Sequence, residues 1–444
     1  MQNLFKIFIL WAVISLNPVF ADDGNALDYE FSISIESSEL DNLTLGDEPD
    51  EDRLEIDEIE FEFDLYYQIN DQWYAFFAGA LIDEMETIEP AGIKEEDVSA
   101  LERVEMGVGY FFGNEIETDL NLGRMEFASA SEWWLWWDEE LDGVRLQSYY
   151  GNFELMLGLT EEQARENTDE DFIDPEVEDV QRLLASLGWE FADNQSLHFY
   201  YLDQQDDSSV FVDGQTLDTD KEDEEDADLT WTGFGYLGEF DSDTLGEFDI
   251  ELHYAHVSGD ETVTEFEDED LPKGRSEVDG DPEKSRVSGD AHSFMLNWSP
   301  TFADDWSLVI GRAQGERDFR QTGLQGDSEV FGELYQPEIS NLIVDVIGIE
   351  WEAWDGIEIA LLSFDYEQDK LAGETRDTSI ELDREDDELI SRDLGRELDL
   401  VVTFNIIERL EIILIAAEFD AGRAYGEFSD ETSDFWKIEL EYIF

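Results

Sequence analysis

Along RLEIDEIEFEFDLYYQI, Ile59, Phe61, Phe63, Leu65 and Tyr67 fall on one parity while Glu58, Glu60, Glu62 and Asp64 fall on the other. Successive side chains of a strand point to opposite faces, so a period of two makes one face apolar and the other charged. FDIELHYAHV repeats this, with Phe248, Ile250, Leu252 and Tyr254 opposite Asp249, Glu251 and His253. DFWKIELEYIF repeats it again, with Trp436, Ile438, Leu440, Tyr442 and Phe444 opposite Lys437, Glu439 and Glu441. An apolar face toward lipid, a polar face toward a lumen and a terminal aromatic describe the last strand of a bacterial outer-membrane barrel.

The other end agrees. MQNLFKIFILWAVISLNPVFA carries one Lys, an apolar run from Ile7 to Leu16 and short residues at Val19 and Ala21, which predicts a targeting segment over 1–21 cleaved near Ala21. The remainder, 22–444, reads as one domain. It has no Cys, so no disulfide contributes in an oxidising compartment. No later stretch approaches the ~20 apolar residues of a spanning helix, so an integral protein of this sequence must be a closed barrel.

Charge is the second constraint. Against 24 Lys+Arg stand 117 Asp+Glu, a formal net charge of -93, yet 42% of residues are hydrophobic and 13% aromatic. Disordered acidic chains are poor in aromatics, and a chain this acidic offers no surface for nucleic acid. The carboxylates belong on solvated loops and on one face of the strands, where they favour solubility or life in salt.

Counting alternating segments gives about 18 strands, near 27–36, 53–69, 72–83, 100–112, 115–124, 142–149, 152–159, 181–191, 195–203, 229–240, 246–257, 291–299, 305–314, 340–352, 355–368, 394–406, 409–419 and 433–444. Short turns such as Asn70-Asp71, Gly113-Asn114 and Gly151-Asn152 alternate with long acidic segments, among them 37–52, 84–99, 125–141, 204–228, 258–290 and 315–339. Short periplasmic turns alternating with long extracellular loops are the pattern of a transmembrane antiparallel up-and-down β-barrel, all-β, with both termini in the periplasm. The run from Asp218 to Asp228 reads as a mobile solvated loop, with a divalent cation such as Ca2+ as its alternative role.

Catalytic constellations are scarce. His253 and His256 lie at i, i+3 on opposite faces of a strand and do not make joint metal ligands. No G-x-S-x-G elbow, phosphate loop or H-E-x-x-H occurs. Ser196 beside His198 is better read as an ordinary strand pair than as part of a hydrolase. The expectation is a protein that is not an enzyme, with no metal site and no resident cofactor.

What stands out is a set of arginines at or beside strand ends: Arg124, Arg145, Arg317, Arg320, Arg392, Arg396 and Arg423. A planar guanidinium accepts carboxylates bidentately and never loses its charge, so these suit a path for acidic groups. The competing reading is structural, each neutralised by Asp138, Asp142, Asp393, Glu397 or Glu333. Parity separates them: Arg145 lies on the polar side of its strand, whereas Arg124 and Arg396 share parity with Leu120, Leu122 and Leu398 and need a bulge or a place beyond the lipid band to reach the lumen. Gly123 and Gly395 precede them and permit one. Trp133, Trp134, Trp136 and Trp137 read as a barrel-rim feature, either an interfacial girdle or a face on which sugar rings stack.

At these residues the chain resembles the alginate export family of outer-membrane barrels. The likeness runs through LGRMEFASASEWWLWWDEELDGVRLQ, FRQTGLQGDSEVFGELYQPEISNL, SRDLGRELDLVVTF and EFDAGRAYG, and covers most of 22–444. It implies an 18-stranded porin whose lumen carries an electropositive constriction for a secreted uronate polysaccharide delivered by a periplasmic scaffold. On that likeness Arg124, Arg145, Arg320 and Arg423 look like the constriction, with Arg392 and Arg396 nearby.

The reading is a monomeric barrel in the bacterial outer membrane, in contact with its lipid and lipopolysaccharide, that passes an acidic, alginate-like polysaccharide from periplasm to exterior. Two alternatives stay open: a cation-selective general or sugar-uptake porin, favoured by acidic lumen positions such as Glu60, Glu62, Asp64, Asp249, Glu251, Glu439 and Glu441, and an acidic calcium-binding surface or adhesion barrel.

Overall fold

The computed structural model describes residues 27–42, 44–45, 53–89, 94–131, 133–134, 136–161, 180–206, 211–218, 225–267, 275–303, 305–325, 330–372, 378–382, 389–407, 409–429 and 431–444. The expected targeting segment lies outside them.

Eighteen antiparallel strands carry the fold: β1 (Leu27–Asp41), β2 (Arg53–Gln68), β3 (Trp73–Glu89), β4 (Lys94–Phe112), β5 (Glu117–Ala128), β6 (Asp138–Tyr150), β7 (Phe153–Glu161), β8 (Val180–Ala192), β9 (Gln195–Asp206), β10 (Glu225–Ser242), β11 (Gly246–Val263), β12 (Glu283–Ser299), β13 (Trp306–Gly315), β14 (Leu342–Trp354), β15 (Ile357–Gln368), β16 (Asp393–Ile407), β17 (Leu410–Ala421) and β18 (Thr432–Ile443). Each pairs with its neighbours in sequence, and β1 also pairs with β18, from Ser32 opposite Ile443 to Asp41 opposite Asp434. The sheet is therefore closed and no strand edge faces lipid. No described helix is long and apolar enough to cross a membrane.

Alternation sets which face looks where. The row Trp351, Ile359, Val402, Leu414 and Ile438, in register across β14 to β18, faces outward, as do Ile349, Leu361, Leu400, Ala416 and Trp436 one step along. The opposite parity faces the lumen. There Glu60, Ser34, Glu441 and Glu411 stand side by side across β2, β1, β18 and β17.

The strands outrun the apolar pattern at the long-loop end. The pair β3 and β4, expected to stop near 83 and start near 100, stays paired out to Ile88 opposite Lys94. Likewise β10, β11 and β12 pair out to Glu225, Val263 and Glu283 through residues expected to be loop. Above the membrane both faces are wet, so acidic residues continue a ladder without alternation and leave no period to read. Within the long acidic segments 204–228 and 258–290, Thr216–Asp218, Arg275–Val278 and Phe266–Glu267 form a small sheet over a core of Phe211, Leu217, Val278 and Phe266. Residues 219–224 of the acidic run are outside the described part.

The main hydrophobic core sits inside the barrel. It joins inward side chains such as Phe127, Leu184, Tyr200, Val257 and Phe419 to the described residues of two loops, 129–137 and 316–341, which lie in the lumen.

Candidate functional site

Those two loops build the interior. Trp136 stacks on Tyr200 at 4.8 Å and 19°, Trp137 meets the same ring edge-on at 5.5 Å, and Trp134 lies parallel to His253 at 6.3 Å. Trp133 meets Phe331 of the other loop edge-on at 5.2 Å. Room for these indoles comes from lumen-facing glycines: a Cβ on Gly233 would sit 2.3 Å from Trp136, and one on Gly235 2.7 Å from His253. Hydrogen bonds to the main chain lock the loops together, with Thr322 Oγ1 donating to the Trp136 carbonyl at 2.7 Å and Asp138 N to Leu324 O at 2.6 Å. Only about 10 Å³ of water-sized space remains among Trp134, Trp136, Trp231, Phe319 and Phe331, room for one water.

The four tryptophans are thus buried, none more than 7% exposed, and the exposed rim expected of them is corrected. The reason is that segment 129–137 turns inward, where an aromatic face is covered by protein and not by lipid headgroups. The indole nitrogens of Trp133, Trp136 and Trp137 have no hydrogen-bond partner there among the described residues, and His253 Nε2 lies 3.5 Å from Glu251 Oε2.

Loop 316–341 is held by two buried carboxylates on β16. Glu397 accepts the N–H groups of Leu334 at 2.8 Å and Tyr335 at 3.0 Å, with the Tyr366 hydroxyl 2.9 Å away; Asp399 accepts Glu333 N at 3.2 Å. Gly332, at φ 114°, lets the loop turn against them, since a Cβ there would lie 2.7 Å from Glu397 Oε1. Tyr335 then stacks on Phe419 at 4.6 Å and receives the Tyr425 hydroxyl at 3.0 Å. Burial holds the Tyr425 phenol well above its ordinary range, so it stays a donor. Sequence reading placed Glu397 only as a counter-ion and did not single out Asp399. Their parity, opposite to Arg396, Leu398 and Leu400, was the available signal.

The arginines divide three ways. Arg145 faces the lumen with its guanidinium 5.7 Å from the Phe127 ring, donates to the Glu126 carbonyl and has no carboxylate partner among the described residues. Its Nε is buried without an acceptor. Arg320, on the inward loop, is held by Glu261 of β11 through Nε at 2.6 Å and Nη2 at 3.2 Å. Arg124 is neither in the lumen nor on the surface. The ladder between β4 and β5 ends at Met106 opposite Arg124, and the Arg124 side chain, 1% exposed, fills the gap by donating to Val104 O at 3.1 Å beside Asp142 at 3.6 Å. Arg103 grips the same Asp142 at 2.7 and 2.8 Å.

Arg392, Arg396 and Arg423 lie on the outer wall. The bulge near Gly395 does occur, at φ 135°, but its extra residue is Leu394, which turns inward and leaves Arg396 and Asp393 outward. Arg396 pairs with Asp365 at 2.9 Å, Arg423 with Asp393 at 2.6 Å and Arg392 with Glu367 at 3.8 Å. The structure therefore brings Arg145 and Arg320 to the interior and separates Arg124, Arg392, Arg396 and Arg423 from it. Among the described residues no group of three His, Cys, Asp or Glu side chains is placed to hold a metal.

A closed 18-stranded barrel with an apolar outer band and inward-folded loops defines an outer-membrane transport barrel of the porin type, in the bacterial outer membrane. The chain belongs to the alginate export family, whose model matches residues 26–438. No curated protein matches it. Among solved structures it is similar to OccK5 (OpdH) of Pseudomonas aeruginosa, with TM-score 0.57 at 11% identity over 94% of this chain and 98% of that one. It is similar also to the outer membrane protein opdK from Pseudomonas aeruginosa, with TM-score 0.57 at 8% identity over 94% and 99% of the two chains. These likenesses show the barrel fold.

Proposed function

We propose that the barrel conducts an acidic, alginate-like polysaccharide from periplasm to exterior. The observation that carries the reading is Arg145. In a chain with 117 Asp+Glu, a lumen-facing guanidinium without a carboxylate partner among the described residues is free to take one from a passing chain. Membership of the alginate export family supports a polyuronate over other anions. Transport needs binding that is weak and easy to leave, and one forked cation on a Phe127 ring offers that without a closed pocket.

A second reading, a cation-selective uptake porin, is favoured by the lumen carboxylates Glu60, Glu441 and Glu411 standing in one row. Planar bilayers separate the two. Polyuronate is expected to block current at lower concentration than neutral dextran of equal size, and Arg145→Glu is expected to weaken that block and shift the reversal potential toward cations. A wild-type pore that is strongly cation-selective and indifferent to polyuronate, unchanged by Arg145→Glu, refutes export and leaves the uptake reading.

A further inference from the structure

One sector of the outer wall carries charge where apolar side chains would be expected. Register places Arg312, Asp345, Asp365, Arg396 and Asp420 directly beside one another across β13 to β17, all on the outward parity. One step nearer the long loops come Glu367 and Asp393 with their partners Arg392 and Arg423. One step the other way the row reads Ile310, Ile347, Ser363, Leu398 and Glu418, and below it Leu308, Ile349, Leu361, Leu400 and Ala416. At its Arg396 end the charged row leaves the lipid band.

Its height follows from the strands. Arg312 lies six residues beyond Trp306 and Arg396 eleven before Ile407, counted from the short-turn ends of β13 and β16. At ~3.3 Å per residue and a tilt of about 40°, the row climbs from roughly 15 Å to roughly 28 Å above that rim, so Arg312 lies within an apolar band about 25 Å tall and Arg396 at its upper edge. The Arg396 end, with Arg392 and Arg423 one step beyond it, reaches the headgroup level of the outer leaflet.

The four guanidiniums are each compensated yet not used up. Arg312 Nη1 spans both oxygens of Asp345 at 2.9 and 2.8 Å, and the other three each meet one carboxylate. Their side chains are 48%, 65%, 47% and 80% exposed for Arg312, Arg396, Arg392 and Arg423, so several of the five N–H donors on each point away from the wall. Glu418 and Asp420, outward on β17, add carboxylates beyond the four that pair.

We propose that this belt is the docking surface for phosphorylated glycolipid of the outer leaflet. Lipid phosphates accept from the outward N–H groups of Arg392, Arg396 and Arg423 at its upper end, while Glu418 and Asp420 hold the divalent cations that accompany those phosphates. A fork-shaped donor suits phosphate oxygens, and a fixed carboxylate behind each guanidinium keeps it oriented along the wall. The belt is separate from the lumen, so the proposal stands or falls apart from the conducted solute.

The test is native mass spectrometry of the folded full barrel in detergent with bisphosphorylated lipid A, against the same lipid A dephosphorylated. Bisphosphorylated lipid is expected to be retained and dephosphorylated lipid lost. The variant Arg392→Gln/Arg396→Gln/Arg423→Gln, checked for unchanged heat-modifiable migration, is expected to weaken retention by roughly tenfold or more. Should the triple variant misassemble, Arg396→Gln alone, at an exposed position, is expected to weaken it by a few-fold. Equal retention of the two lipids overturns the proposal, as does wild-type retention by the folded variants. Loss of all binding in chelator, identical for wild type and variants, also overturns it, because cations on carboxylates would then account for binding without the arginines.

Discussion

Glu397 is where a single side chain should control the shape of the lumen. It is fully buried, and it accepts two backbone N–H groups of loop 316–341 and lies within hydrogen-bond reach of the Tyr366 hydroxyl. Replacing it by Ala leaves the Leu334 and Tyr335 N–H groups without an acceptor, at ~1–3 kcal/mol each. A loss near 4 kcal/mol shifts the docked-to-undocked ratio of the loop by about a thousandfold. Glu397→Gln keeps one carbonyl oxygen, so it should lose about one bond and shift the ratio by roughly tenfold. Two measurements follow the loop: single-channel conductance, expected to rise or flicker as the loop leaves the lumen, and tryptic cleavage at Arg317 and Arg320, expected to speed up in the order wild type, Gln, Ala. Identical conductance and cleavage in all three proteins, each heat-modifiable, would show that packing of Tyr335 on Phe419 holds the loop and that the carboxylate does not.

Phe444 N donates to Phe31 O at 2.8 Å across the seam between β18 and β1, so deleting Phe444 is expected to lower the yield of the heat-modifiable folded band, with an unchanged yield refuting a closing role. Gly233→Leu places a Cβ 2.3 Å from Trp136 and 2.1 Å from the Tyr254 carbonyl, an overpacking of about 1–3 kcal/mol that should displace loop 129–137 and raise conductance. A variant with wild-type conductance and indole fluorescence would mean the loop is not seated by that glycine.

Strand number, order and closure were legible because lipid on one side and water on the other impose a period of two at every crossing. Where both sides are wet the period vanishes, and the extensions of β3, β4 and β10 to β12 could not be read. Parity also told the truth about Arg396: it said outward, and the bulge residue turned out to be Leu394. Arg124 shows the limit of parity, since its burial depends on β4 and β5 separating at Met106, a long-range event that no local pattern records. The tryptophans were placed at a rim because aromatic clusters usually meet headgroups. Their burial was written instead in Gly233 and Gly235, about a hundred residues away, which hollow the opposing wall for Trp136 and His253.

A net charge of -93 and a path for polyanions are compatible because a solute in the lumen meets local potentials and not the total. At ~0.15 M salt the Debye length is about 8 Å and at ~1 M about 3 Å, so carboxylates on the outer loops are screened from a chain inside the barrel. A guanidinium about 4 Å from a uronate carboxylate, at an effective dielectric near 20, interacts by about 4 kcal/mol before desolvation. Arg145 on β6 can therefore outweigh more distant acids. Glu60, Glu441 and Glu411 are on β2, β18 and β17, several strands away around the circumference, while the acids that flank Arg145, Asp119 on β5 and Glu154 on β7, are engaged by Asn121 and Gln147. On the export reading proposed above, acids already held by neighbouring amides beside a guanidinium without a carboxylate partner among the described residues leave a polyuronate a local site that the total charge does not cancel.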